Sequence, residues 1–260
     1  MSNISIPKII HYCWFGRNKK PALIRKCIRS WKKYCPDYQF IEWNEDNFDI
    51  DSLPYCRQAY DAKKWAFVTD YVRLKVVYEH GGIYMDTDVE LVKPLDDYLH
   101  YPCFMGFQHE SYVNTGLIFG AEKNHGFVAE NADVYHEADF QKQLLAGKPI
   151  ICQEYTTALL EKKGLIVPCT GGIQRIGDIT VFPPEYFCPL SNRTGILNKT
   201  ENTVAIHHFA GSWQSETWKQ AFRDLKRNRI QHEITHLPNR ILLTILGSGR
   251  YEDLKRRLKK

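Results

Sequence analysis

Residues 66–94, AFVTDYVRLKVVYEHGGIYMDTDVELVKP, constrain this chain more than any other stretch. Phe67, Tyr71, Leu74 and Tyr78 recur at helical spacing, and Val68, Val72 and Val76 fill the neighbouring positions, so the first half reads as a helix. Gly81-Gly82 ends it, because a left-handed cap suits a residue without a Cβ. Ile83 to Asp86 then reads as a short buried strand running into Asp86-Thr87-Asp88, two carboxylates one residue apart. A helix climbs about 1.5 Å per residue, roughly 16 Å from Asp70 to Gly81. A strand covers about 3.3 Å per residue, again roughly 16 Å from Ile83 to Asp88. If the strand doubles back along the helix, Asp70 and Asp88 reach similar height. Asp70 and Arg73, three apart, share a helix face, and alternation puts Asp86 and Asp88 on one side of their strand. One site could then hold three carboxylates and a guanidinium.

Two carboxylates at a strand end suit a hard divalent cation that keeps positions open for substrate oxygens. A solvated acidic turn is the alternative for Asp-x-Asp taken alone. The combined pattern is more specific: an Asp-x-x-Arg helix, a Gly-Gly turn and a Tyr-x-Asp-x-Asp strand, here Asp70, Arg73, Gly81, Gly82, Tyr84, Asp86 and Asp88. It resembles the DXD-containing glycosyltransferases, the family of fungal initiating mannosyltransferases and bacterial capsular polysaccharide transferases (glycosyltransferase family 32). The glucosyltransferase domains of the large clostridial toxins are related to it. The resemblance implies an α/β domain of the GT-A type, a single Rossmann-like mixed sheet flanked by helices. It implies metal-dependent transfer of a hexose from a nucleotide-diphosphate sugar, a UDP-sugar being favoured, to a saccharide acceptor with retention of anomeric configuration. Asp70 and Arg73 would lie against the donor sugar, and Tyr84 beside it.

The same resemblance places further residues. Ile6 to Gly16 is an apolar strand running into a loop, and Trp14 at its end would stack on the nucleobase; a core tryptophan is the alternative. Tyr38 to Trp43 is a second strand, followed by Asn44 at a strand end where the family contacts the nucleoside. Asn114 opens an apolar stretch, residues 114–120, read as a strand; its amide either faces the sugar or forms a turn. Gln153 and Glu154 open a helix and would lie beneath the sugar. Thr203 to Phe209 reads as a strand. His208-Phe209-Ala210-Gly211 matches a His-aromatic-x-Gly pattern, which makes His208 the third metal ligand beside Asp88 and Asp86, with His207 pointing the other way. Imidazole nitrogen favours Mn²⁺ over Mg²⁺. Ser212 and Trp213 would hydrogen-bond the diphosphate.

At 260 residues the chain fits one large domain with a small appendage. Charge divides it. Residues 217–260 hold 12 Lys/Arg and 4 Asp/Glu, against 23 and 26 in residues 1–216. The expectation is a catalytic domain over 1–216 and a basic helical extension over 217–260. A mildly acidic body argues against a nucleic-acid partner. The basic tail is either a docked helix or a peripheral contact with anionic membrane, near an oligosaccharide or lipid-linked acceptor. The eight cysteines form no C-x-x-C pair, which argues against zinc and suits reduced thiols. No signal peptide or membrane span is read from the sequence. A fungal Golgi enzyme would need an anchor, so a bacterial cytoplasmic enzyme of capsular or surface polysaccharide synthesis is expected, peripheral on the inner face of the cell membrane. Two rivals remain. A metal-dependent phosphohydrolase acting on a nucleotide diphosphate usually holds two metals, for which there are too few ligands. A non-catalytic sugar-binding module needs no metal beside a diphosphate.

Overall fold

The computed structural model describes residues 5–147, 151–211, 220 and 224. They fall in two units. The large one holds residues 5–190 and 198–211, and the small one includes the loop Ser191–Leu197. That loop closes on itself, Ser191 N–H donating to Ile196 O at 2.8 Å. The division expected at residue 216 lies outside the described residues, as does the extension 217–260 apart from Gln220 and Asp224.

In the large unit, β1 (Ile9–Cys13) lies between β2 (Gln39–Trp43) and β3 (Gly82–Met85), parallel to both. Cys13 pairs with Trp43 and His11 with Tyr84, so all three strands run out at one edge of the sheet. β7 (Ile118–Ala121) pairs antiparallel with β3, and β5 (Cys103–His109) antiparallel with β7. β9 (Ile179–Phe182) and β8 (Gln174–Ile176) continue the order β2-β1-β3-β7-β5-β9-β8, and β6 (Tyr112–Val113) forms a hairpin on β5. A separate two-stranded ribbon joins β4 (Val89–Leu91) to β10 (Ala205–His207). This mixed sheet flanked by helices is the α/β class expected from the sequence.

β3 is buried on both faces. Tyr84 joins one apolar layer with Val72 and Val76, while Ile83 and Met85 join the opposite layer with Trp31. This is why its sequence is continuously apolar rather than alternating. Helix α1 (Ala22–Tyr34) buries Ile24, Cys27 and Trp31 and leaves its basic side out. Trp31 Nε1 donates to the Val89 carbonyl at 2.7 Å, so α1 anchors the strand that follows the two aspartates. Helices α2 (Pro54–Asp61) and α3 (Trp65–His80) cover the other face. α3 is apolar nearly all round and ends on Gly81, with φ +68°. Gly82 has φ +109°, and a Cβ there would meet the Ile9 carbonyl oxygen at 2.8 Å and His11 Nε2 at 2.9 Å. The helix-to-strand turn therefore needs glycine for close approach as well as for conformation.

Residues 126–145 hold two helices, α4 (Gly126–Asp133) and α5 (Phe140–Leu145), because Asp139 caps Lys142 N–H at 2.9 Å and starts a new one. The apolar residues 165–167 form no strand: the side-chain amide of Gln174 takes both backbone groups of Ile166, at 2.8 and 2.9 Å. The strand expected over 114–120 begins only at Ile118, after a turn. Helices α6 (Cys152–Lys162) and α7 (Pro184–Phe187) complete the unit. Among the described residues no helix is long and apolar enough to cross a membrane.

Candidate active site

β3 ends at Met85, and Asp86-Thr87-Asp88 is a turn, closed by Val89 N–H to Asp86 O at 3.0 Å. Strand alternation is therefore not what brings the carboxylates together; the turn is. The β4–β10 ribbon supplies the third group. His207 Nε2 lies 3.2 Å from Asp88 Oδ1, and Ala210 N–H donates to Asp88 Oδ2 at 2.7 Å. Ligating atoms of Asp86, Asp88 and His207 all lie within 4.8 Å of one another.

This corrects the expectation for the histidine pair. His208 faces Glu90, at 2.8 Å between Nε2 and Oε2, and His207 enters the cluster instead. The reason is register. Ile206 pairs with Glu90, so the next outward residue on that side, His208, reaches Glu90 diagonally. Asp88 precedes β4 in the turn, where alternation no longer holds, and its carboxylate swings to the His207 side.

Charge in this cluster is unevenly compensated. Burial pushes the Asp88 carboxyl up, but the His207 ring and the Ala210 N–H outweigh it and hold the pKa down to about 2. Burial pulls His207 down, but Asp88 outweighs it and raises the ring to about 10. Asp86 is raised, chiefly by burial and also by Asp88, with Arg73 opposing. The buried Asp88 and the half-buried Asp86 thus share one imidazolium and one guanidinium. The donor set, two carboxylates and an imidazole whose proton a cation can replace, fits Mn²⁺ or Mg²⁺.

On the sheet side of this cluster sits the Asp-x-x-Arg pair of α3. Arg73 Nη2 lies 2.9 Å from Asp70 Oδ1 and 3.5 Å from Asp86 Oδ1, so the helix and the turn do meet. Both helix residues are buried, Asp70 8 % and Arg73 4 % exposed. Burial raises the Asp70 carboxyl to about 6, against the pull of Arg73. Tyr84 is 1 % exposed; its hydroxyl donates to Asp86 Oδ1 at 2.8 Å, and Arg73 lies over its ring at 5.2 Å. It positions Asp86 rather than standing open to a donor.

Four more residues pack around this pair. Gly116 brings backbone against the pair: a Cβ there would sit 2.4 Å from Asp86 Oδ2 and 2.7 Å from Arg73 Nη1. Asn114 is 4 % exposed, and its Oδ1 accepts from Gly116 N–H at 2.6 Å. Its side chain thus forms the turn that the sequence left open as one of two readings. Cys152, at the start of α6, places Sγ 3.7 Å from Arg73 Nη1 and 3.6 Å from Gln153 Oε1. Gln108, at the end of β5, bridges Asn114 and Gln153. Nothing in the sequence flagged Gln108 or Cys152, since neither sits in a motif. Glu154 is exposed and joins none of these contacts.

At the ends of β1 and β2, Trp14 is half-buried, its Nε1 donating to Asn18 O at 2.6 Å, with Lys20 Nζ 5.3 Å from the ring centroid. Asn44 spends its side-chain oxygen on Asp46 N–H at 2.8 Å, closing a turn. Glu45, which follows Asn44 at the same strand end, ties the two loops: it accepts from Gly16 N–H at 2.6 Å and from the Tyr60 hydroxyl at 3.1 Å. Ser212 and Trp213 lie outside the described residues.

Comparison with known proteins bears on this geometry. Residues 21–105 match the family described as "Glycosyltransferase sugar-binding region containing DXD motif". Inositol phosphoceramide mannosyltransferase 3 of Schizosaccharomyces pombe is 31 % identical over 130 residues, 48 % of this chain and 36 % of that protein. Inositol phosphoceramide mannosyltransferase 1 of the same yeast is 27 % identical over 178 residues, 60 % of this chain and 53 % of that protein. The chain thus spans about a third to a half of these relatives. Among solved structures, the PaToxG glycosyltransferase aligns with a TM-score of 0.45 at 18 % identity, over 61 % of this chain and 70 % of that one. A glycosyltransferase involved in glycosylation of the major capsid of PBCV-1 aligns at 0.42 and 15 % identity, over 85 % and 100 %. No residue role follows from likenesses this distant.

Proposed function

Residues 21–105 belong to the family of glycosyltransferases with a DXD-containing sugar-binding region, and from that premise we propose that this chain moves a hexose from a nucleotide-diphosphate sugar to a saccharide acceptor with retention of configuration. The observation that carries the reading is the cluster of Asp86, Asp88 and His207 beside a buried Asp70–Arg73 pair. A cation held by Asp86, Asp88 and His207 supplies charge neutralisation for the departing diphosphate. The chain's own groups do the rest. Trp14 stacks on the base at the β1 edge. Asp70 accepts hydrogen bonds from ring hydroxyls, and Arg73 donates to hydroxyl and phosphate oxygens from a position fixed by Asp70, Asp86 and Tyr84. Gln153 borders the sugar, and Ser212 and Trp213 bond the diphosphate. Retention follows from the family resemblance, with a front-face transfer that needs no protein nucleophile.

A UDP-sugar donor and a role in bacterial capsular or surface polysaccharide synthesis remain the first reading. The cytoplasmic face of the membrane is its proposed setting, supported by the basic balance of residues 217–260. Two relatives named as inositol phosphoceramide mannosyltransferases favour a second, transfer of mannose to a glycolipid. The test incubates the protein with Mn²⁺, UDP-glucose, UDP-galactose or GDP-mannose, and lipid and saccharide acceptors. Transferred sugar supports the proposal, and its anomeric coupling in NMR reads retention. Free phosphate instead would mark a phosphohydrolase, and binding without any product a sugar-binding module.

A further inference from the structure

We propose that Gln108 is a donor-sugar-reading residue, presenting its side-chain NH₂ to a ring hydroxyl; the inference rests on the donor reading of the site. It starts from one group whose role is not open to choice. The backbone N–H of Gly116 can only donate, and it reaches an Asn114 side-chain atom at 2.6 Å. That atom must be Oδ1, so the other end of Asn114 is Nδ2. Asn114 Nδ2 lies 2.7 Å from Gln108, which must answer with its acceptor, Oε1. The same oxygen receives Gln153 Nε2 at 3.4 Å, which turns Gln153 Oε1 toward Cys152 Sγ, 3.6 Å away.

One backbone N–H thus orients three amides in series. Asn114 is consumed by this: it is 4 % exposed, with Oδ1 held by Gly116 and Nδ2 by Gln108. Gln108 is not consumed. Its oxygen accepts two bonds, its Nε2 keeps two unspent N–H donors among the described residues, and its side chain is half-buried. The position is that of the sugar. Gly116, from which the series starts, packs on Asp86 and Arg73, and Cys152, which borders its far end, touches Arg73. Asp70 and Asp86 present carboxylates here, and Arg73 Nη2 is engaged with both. A hydroxyl oxygen that needs a neutral donor finds one in Gln108. Buried hydrogen-bonding of this kind discriminates sugars that differ by one hydroxyl, because a missing partner leaves a desolvated group unmet.

The test measures affinity by calorimetry on the full chain with Mn²⁺, pairing UDP-glucose and UDP-galactose with UDP and GDP-mannose with GDP. The readout is the ratio of nucleotide-sugar to free-nucleotide affinity, which cancels any change at the diphosphate. Gln108→Glu keeps the acceptor that holds Asn114 and Gln153 but loses the NH₂; Gln108→Met keeps the shape and loses both. Both variants should lower the ratio about tenfold, the scale of one hydrogen bond. A normal ratio in Gln108→Glu would overturn the proposal, whether Gln108→Met is normal or impaired, since a mere brace for Asn114 needs only the oxygen. Monodeoxy forms of the tightest donor identify the hydroxyl. Of the positions that cost affinity in the unaltered protein, one should lose its cost, about tenfold, in folded Gln108→Glu. No sensitive position would overturn the proposal. If the unaltered protein binds none of the five compounds, the donor reading fails and this inference with it. If it binds them and only the ratio is unmoved, the inference alone fails.

Discussion

His207 Nε2 and Asp88 Oδ1 stand 3.2 Å apart at the end of the β4–β10 ribbon, while the adjacent His208 turns to Glu90. Two histidines in succession therefore have separable roles. A cation held by Asp86, Asp88 and His207 would take the place of the His207 proton. His207→Ala should weaken Mn²⁺ binding, titrated by electron paramagnetic resonance with UDP present, by about 10–100-fold. His208→Ala should change it less than about threefold, the loss of an outer contact to Glu90 being only partly buried. Asp88→Asn should abolish transfer. The opposite ranking of the two histidines would return the metal role to His208.

Trp14 lies at the parallel-strand edge with its ring half-buried and Lys20 above it. Trp14→Ala should lower nucleotide affinity about tenfold or more, the scale of one base–aromatic stack. Mn²⁺ affinity for free diphosphate should persist. A folded variant with unchanged UDP and GDP affinity would assign Trp14 to packing.

The helix, the Gly-Gly turn and the carboxylate pair were legible because each rests on local chemistry: periodicity, a φ only glycine takes cheaply, two charges in a short turn. Length matching set Asp70 level with Asp88, since both distances follow from backbone rise; in the structure Arg73 links Asp70 to Asp86. The choice between His207 and His208 was not legible. It depends on the β4–β10 register and on Asp88 lying in the turn before β4, and a one-residue slip in register turns every side chain to the other face. Asn114 and Asn44 were ambiguous for another reason: an amide serves a turn or a ligand equally well, and only the partner N–H decides. Gln108 bonds Asn114 nearby and Gln153 far along the chain, and neither pairing has a sequence pattern that would have shown it.

Asp70 and Arg73 form a buried pair that also carries Asp86. Asp70→Asn keeps the shape and removes the charge; Arg73→Lys keeps the charge and removes the planar fork. Both should lower transfer by two orders of magnitude or more, with nucleotide affinity nearly intact. Some stability is lost as well, because each change weakens a buried, desolvated ion pair. Activity must therefore be compared on fractions shown folded by circular dichroism. Near-normal turnover in both would leave only a structural ion pair.

His11 is fully buried, and its neutral form is built into the fold. Trp43 Nε1 donates to its Nδ1 at 3.1 Å, so the ring proton sits on Nε2 and is given to the Gly81 carbonyl at 2.8 Å. Burial lowers its pKa from 6.5 to about 4, with His80 adding to the effect and the Gly81 bond opposing it. The unfolded chain takes up this proton below pH 6.5 while the folded ring refuses it until about 4. The contribution is thus complete above pH 6.5 and lost as pH falls toward 4. Its full size is about 3 kcal/mol. Urea unfolding of His11→Gln should show a flatter loss of stability between pH 6.5 and 4 than the unaltered protein. Asp70 titrates in the same window with opposite sign, but it is common to both proteins and cancels. Equal slopes would mean that His11 is protonated in the folded state.

Gly116 gives the most local test of the pocket. A methyl group there would meet Asp86 Oδ2 at 2.4 Å, Arg73 Nη1 at 2.7 Å and Asn114 Oδ1 at 3.0 Å. None of these atoms is a loose side-chain end. Asp86 is tied to Tyr84 and Arg73, Arg73 to Asp70, and Asn114 to Gly116 itself and Gln108. Its backbone lies outside the left-handed region, so the space and not the conformation is what alanine violates. The methyl must push Asp86 and Arg73 apart, and a displacement of about 1 Å in such a site costs about 10²-fold in rate. Gly116→Ala should therefore fold, bind Mn²⁺ more weakly and lose transfer by about that factor. Gly126→Ala is the control, because nothing lies within 4 Å of the Cβ it would add at the start of α4. Alanine is the better helix former by up to about 1 kcal/mol, so this variant should be as stable as the unaltered protein or slightly more, with full activity. Full activity in Gly116→Ala as well would show that the Asp86–Arg73 spacing does not govern the reaction.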